Sequence, residues 1–184
     1  EDRRHIQERD VELIQHVLLT RLNLEMAVTD EMIRYACKIK PEHCCLVPEK
    51  RAELTTEGGL NVVAQEASVR NAKQALSEQG IEVSLFIDPD FKQIEAAARC
   101  GAPVIELHTG EYAEARTEAE RDLQLERITQ AVKFAREAGM IVNAGHGLNY
   151  QNVSAIARIP GILDLNFVHG IIARPFFIGL VPAL

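Results

Sequence analysis

A chain of 184 residues is long enough to bury one sizeable core. With 47% hydrophobic and 26% charged residues it has an ordinary globular mix, and a net charge of -7 argues against nucleic acid as the main partner. No apolar run approaches the roughly 20 residues that span a bilayer, and the start Glu1-Asp2-Arg3-Arg4-His5 is polar rather than a secretory leader, so no membrane partner and a cytoplasmic setting are expected.

Residues 1 to 9 form a polar lead-in. From Asp10 to Leu19 the apolar positions Val11, Leu13, Ile14, Val17 and Leu18 follow helical spacing. Leu22 to Ala27 is a short strand, and Thr29 or Asp30 caps a helix running to about Lys38. His43 to Val47 is the next strand, and its Cys44-Cys45 pair is expected in the core. The four cysteines lack zinc-site spacing and are expected to be reduced. A polar loop from Glu49 to Gly59 precedes a helix over about 62–79, stopped by Gly80. Glu82 to Ile87 is a strand, and Asp88-Pro89-Asp90 opens a helix that ends at Cys100-Gly101. Pro103 to Leu107 is a strand, and the longest helix runs from about Thr117 to Ala138, stopped by Gly139. Met140 to Val142 enters the turn Asn143-Ala144-Gly145-His146-Gly147-Leu148, followed by a helix over about 152–158. Ile162 to Phe167 is the last strand, ending at Val168-His169-Gly170, and the tail to Leu184 is apolar.

Six strands alternating with helices predict a parallel sheet covered by helices. An open doubly wound sheet fits that count. Even spacing and polar residues at nearly every strand end favour a TIM (β/α)8 barrel, with about six of its strand–helix units in one partial domain over residues 1–184. Six strands without closure would leave open edges.

The chemistry is expected at the strand ends. His146 between glycines can titrate near neutral pH, and the turn is expected to leave N–H groups free at a helix N-terminus, where an anion is stabilised. A structural histidine is the plain alternative. Glu25, in an apolar strand, is expected to be partly desolvated and suited to acid–base work. Glu106 and His108 alternate at another strand end, either as site residues or as a structural pair at the rim. Thr55-Thr56 before Glu57-Gly58-Gly59 can present hydroxyls and N–H groups to a phosphate, as can the arginines around His5. His169 after the last strand falls where barrels often hold phosphate. His43 reads as structural. Glu25, Glu106, His108, His146 and His169 also permit a divalent-ion site, though without recognised local spacing.

The stretches Glu1 to Ile6, Asn23 to Ala27, Cys44 to Arg51, Thr55 to Gly59, Val83 to Asp88, Glu106 to Gly110 and Asn143 to Tyr150 resemble, in order, the pyridoxine 5′-phosphate synthase family of the deoxyxylulose-dependent vitamin B6 pathway. The resemblance implies a TIM barrel, a homo-octamer, and condensation of aminoacetone phosphate (3-amino-2-oxopropyl phosphate) with 1-deoxy-D-xylulose 5-phosphate, with neither metal nor organic cofactor. It implies that Glu25 is an acid–base carboxylate and His146 a proton donor. It places His5 and Thr55 at the deoxyxylulose phosphate, and Gly147, Val168 and His169 at the aminoacetone phosphate.

The chain departs from that family at both ends. The family's first two strands, with further phosphate ligands and a second catalytic histidine, lie before the position of Glu1. Val168 stands where the family has glycine, and Ile171 to Pro175 replaces a glycine-containing pattern before a final helix. The 184 residues alone are therefore expected to be poorly active. The other readings are a metal-dependent sugar-phosphate isomerase or hydrolase on the same barrel, and a non-catalytic remnant of the synthase.

Overall fold

The computed structural model describes residues 6–49, 58–167 and 169–173. In chain order these form α1 (Glu8–Val17), β1 (Asn23–Met26), α2 (Asp30–Ile39), β2 (His43–Leu46), α3 (Glu66–Ser77), β3 (Glu82–Ile87) and α4 (Phe91–Arg99). Then come β4 (Val104–His108), α5 (Gly110–Glu114), α6 (Glu118–Glu137), β5 (Ile141–Gly145), α7 (Val153–Ala157), β6 (Ile162–Asn166) and α8 (His169–Ala173).

The six strands pair in sequence order, every neighbour parallel. Helices cross between consecutive strands, as parallel pairing requires. The sheet is curled: Glu25 on β1 and Asn166 on β6, the two edge strands, line one cavity. The architecture is an α/β half-barrel of the TIM type, with six of its strands.

Alternation along the strands separates two environments. Leu24, Met26, Cys44, Leu46, Val83, Leu85, Ile87, Ile105, Leu107, Val142 and Ala144 are buried in the layer between sheet and helices. They meet Leu76 of α3, Ile94 of α4 and Ile128 of α6 in one cluster. The intervening residues point inward. Glu25, Cys45, Ser84 and Val104 share one row of partners, Phe86, Glu106 and Asn143 a second, and His108, Gly145 and Asn166 a third. Cys44 is therefore core, as expected, but its neighbour Cys45 belongs to the barrel interior.

The local signals in the sequence work as capping chemistry predicts. The Thr29 hydroxyl accepts from the Met32 N–H at 3.2 Å, and Asp90 Oδ1 accepts from the N–H groups of Lys92 and Gln93 at 2.9 and 3.1 Å. Thr117 and Glu120 satisfy each other's N–H groups in a capping box.

Three elements differ from the expectation. The helix expected over 62–79 starts at Glu66, after a 3-10 turn over Val63–Gln65. The Gln93 side chain accepts from the N–H of Val62 and Val63, at 2.8 and 3.3 Å, and diverts the backbone there. A short helix, α5, follows β4 and is fixed by Tyr112, whose hydroxyl donates to the Asn152 carbonyl at 2.7 Å. The last strand stops at Asn166, and α8 begins at His169 where a strand end was expected.

Candidate active site

The cavity at the C-terminal end of the strands measures about 700 Å³ and is lined by Glu25, Cys45, Phe86, Glu106, His146 and Asn166, with Gly147 and Gly170 at its wall. It combines a largely apolar lining with a few convergent polar groups, the usual makeup of a small-molecule site.

Glu106 is the buried carboxylate of this site, with 4% of its surface exposed. Its Oε2 accepts from the Asn166 amide and lies 3.9 Å from the Cys45 thiol. Burial pushes the Glu106 carboxyl up to about 7, against the pull of the Asn166 amide, and the nearby Glu25 carboxylate pushes the same way. A carboxyl poised there can give or take a proton near neutrality. Burial also holds the Cys45 thiol well above its ordinary value, so it is a neutral hydrogen-bond donor rather than a nucleophile.

Glu25, on β1, lines the same cavity. The sequence signal for Glu106 was its alternation with His108 in Glu106-Leu107-His108. Asn166 carried no such signal, since a polar residue ending a strand is ordinary.

His146 stands at φ 81, a left-handed conformation that a side chain rarely adopts. Such strain persists only where the surroundings impose it. Here the Thr109 N–H donates to the Gly145 carbonyl at 2.8 Å and the Thr109 hydroxyl to the His146 carbonyl at 2.6 Å. Asn152 donates from its side chain to the Gly147 carbonyl at 3.2 Å. The imidazole packs against His108, with ring centroids 4.7 Å apart, and against Phe86 at 6.2 Å. Partial burial lowers the His146 pKa, His108 lowers it further, and Glu114 opposes both.

After this turn the Asn149 N–H donates to Asn152 Oδ1 at 2.7 Å, and those of Gln151 and Asn152 donate to Asn149 Oδ1 at 2.9 and 3.2 Å. These bonds fix the loop that follows Gly147.

Among the other residues singled out in the sequence, His5, Thr55 and Val168 lie outside the described residues, and His169 is described as the first residue of α8. His43 pairs with Glu82 at 3.0 Å at the opposite end of the strands, as a structural histidine would. Among the described residues no group of three or more His, Cys, Asp or Glu side chains is placed to hold a metal ion.

A sequence model of the pyridoxal phosphate biosynthesis protein PdxJ matches residues 1–184. The chain belongs to the PdxJ family. The pyridoxine 5′-phosphate synthase of Alcanivorax borkumensis is 59% identical over 184 residues, which is all of this chain and 75% of that protein. That of Aliivibrio fischeri is 58% identical and is covered to 76%. The chain thus spans about three quarters of the length of these PdxJ-family relatives. Among solved structures, the EAL domain of FimX from Xanthomonas citri superposes with a TM-score of 0.56 at 14% identity, over 83% of this chain and 62% of that one. At that identity the likeness concerns the barrel fold alone.

Proposed function

We propose that this PdxJ-family chain performs the pyridoxine 5′-phosphate synthase reaction, joining aminoacetone phosphate to 1-deoxy-D-xylulose 5-phosphate with release of phosphate and water. The observation that carries the reading is the convergence of Glu106, Glu25 and His146 on one cavity, in a chain 59% identical along its whole length to a curated synthase. The amine of one substrate condenses with the ketone of the other to a Schiff base, and proton transfers then drive ring closure and aromatisation. Each transfer needs a group able to give or take a proton; Glu106, its carboxyl pushed up to about 7, is one, and the His146 imidazole lines the same cavity. Glu25, which lines the same cavity, is the second carboxylate that exchanges protons with the substrate.

In this reading His5 and Thr55 hold the deoxyxylulose phosphate, and Gly147, Val168 and His169 hold the aminoacetone phosphate. Gly147, at φ 73 and with Ala113 Cβ 2.6 Å from where a side chain would begin, brings bare backbone to the cavity wall. By the same resemblance the protein acts in the cytoplasm as a homo-oligomer, an octamer. No helix among the described residues is long and apolar enough to cross a membrane. Light scattering on the eluting protein tests the assembly.

The test of function is turnover of the two phosphorylated substrates by the natural protein, followed by the appearance of pyridoxine phosphate. His146→Asn and Glu106→Gln, each still folded, are expected to lower kcat by about 10²- to 10⁴-fold. Full activity in both variants, or no binding of either substrate by the natural protein, overturns the reading.

A further inference from the structure

His108 is not among the residues to which the proposed reaction gives a task, yet among the described residues it is more deeply set than Glu25 or His146, which have one. It is 8% exposed, and Asp88, at the end of the neighbouring strand, is 3% exposed. A buried carboxylate beside a buried imidazole costs desolvation of both, so each must be held by specific partners. Asp88 Oδ1 accepts from the Gly59 N–H at 3.0 Å and lies 3.3 Å from His108 Nδ1. The approach to His108 is close enough for an ion pair, but Nδ1 lacks the alignment of a full hydrogen bond.

The rest of the His108 ring is boxed in. Phe86 meets it edge-on with centroids 5.1 Å apart. Gly110 has no room for a side chain, since a Cβ there would lie 2.7 Å from both Cε1 and Nε2 of His108. Gly58 also backs onto the ring, and the His146 ring lies against it at 4.7 Å. His146, by contrast, is an exposed residue on a strained turn, and the contacts that fix the turn are made by its backbone. Its imidazole direction rests on the rings it packs against.

We propose that Asp88 and His108 act as a positioning pair: Asp88 fixes the His108 ring, and His108 sets the direction of the His146 imidazole over the cavity. The pair touches neither substrate nor reacting atoms and acts only through His146. Among the described residues the charged and titratable groups around His146 are His108 and Glu106 on β4, Glu114 on α5, Glu25 and Cys45 across the cavity on β1 and β2, and Asp88 behind His108. This inference rests on the reading of His146 as a proton carrier.

Asp88→Asn and His108→Phe separate this role from a structural one. Asparagine keeps the oxygen that accepts from Gly59 but removes the charge facing His108. Phenylalanine keeps a ring in the box but removes its nitrogens. The readout is the His146 Cε1–H resonance in histidine-labelled protein, followed over about pH 5 to 9 and assigned with His146→Asn. In Asp88→Asn the resonance of neutral His146 is expected to move while the Gly59 amide stays in place. In His108→Phe the His146 midpoint is expected to rise, because the electrostatic push of His108 that lowers it beside the effect of burial is gone. Where turnover is followed, Asp88→Asn is expected to lower kcat about tenfold with KM within about twofold, the mark of a misaimed group rather than a lost contact. A His146 resonance and midpoint identical in the variants and the unsubstituted protein overturn the proposal. Should His108→Phe fail to fold, the near-isosteric Asp88→Asn decides. Unchanged turnover in His146→Asn would instead sink the assignment of His146 as proton carrier, while the spectra still decide whether Asp88 and His108 hold its ring.

Discussion

Asn166 on β6 reaches across β5 to donate its side-chain amide to Glu106 on β4. The strand between them carries Gly145 at the crossing point, and a Cβ there would collide with Glu106 Oε1 and with the Asn166 carbonyl oxygen. The missing side chain of one residue is thus the space in which the other two meet.

Gly145→Ala tests this directly. The backbone at Gly145 is not in the left-handed region, so the cost is steric alone. Overpacking of this kind costs about 1–3 kcal/mol. Urea unfolding is expected to show that loss, and the variant is expected to lose turnover as well, since Glu106 must move aside.

Glu106 also predicts a pH dependence of stability. Its carboxyl titrates near 4.5 when the chain is unfolded and at about 7 when folded. Below about pH 4.5 both states hold the proton and nothing changes. Between the two values the folded state binds more protons, so stability falls as pH rises, and the loss is complete above about pH 7. The full effect is on the order of 3 kcal/mol. Denaturation midpoints measured across this window are expected to fall in the natural protein more steeply than in Glu106→Gln, which has no proton to lose.

The same burial predicts silent cysteines. The Cys44 thiol is pushed up to about 12 and Cys45 well above its ordinary value, both chiefly by desolvation. Only the thiolate reacts with an alkylating agent. At about pH 8 the folded protein is expected to leave Cys44 and Cys45 unmodified, and both are expected to react once guanidinium unfolds it. Mass spectrometry of the peptides reads the outcome.

Asp90 caps α4 with two hydrogen bonds, and its helix carries the Gln93 side chain that diverts the backbone at Val62. Asp90→Ala is expected to cost about 1 kcal/mol, within the 0.5–2 kcal/mol usual for a lost cap. Substituted together with Gln93→Leu, the loss is expected to differ from the sum of the two singles, because the cap holds the turn that presents Gln93.

The strand and helix order was legible in the amino-acid sequence because each element is specified by neighbours along the chain. Apolar strands, caps such as Thr29 and Thr117, and stops such as Gly80 and Gly139 need no distant partner to be recognised. The start of α3 was not legible, because the side chain that diverts it sits 31 positions away from Val62. The short helix α5 was missed for a similar reason: Tyr112 fixes it through a carbonyl 40 positions on.

The sequence by itself thus determined the six parallel strands, the helices between them, and Glu25 and His146 as residues carried to the strand ends. These follow from period-two and helical spacing, which are local. Only the tertiary structure decided which carboxylate is buried. Burial depends on what lies across the sheet: Glu106 on β4 has strands on both sides, and Asn166 reaches it from beyond β5. The contacts of Asn166 with Glu106, and of Asp88 and His108 behind His146, join residues that only the curl of the sheet brings within reach.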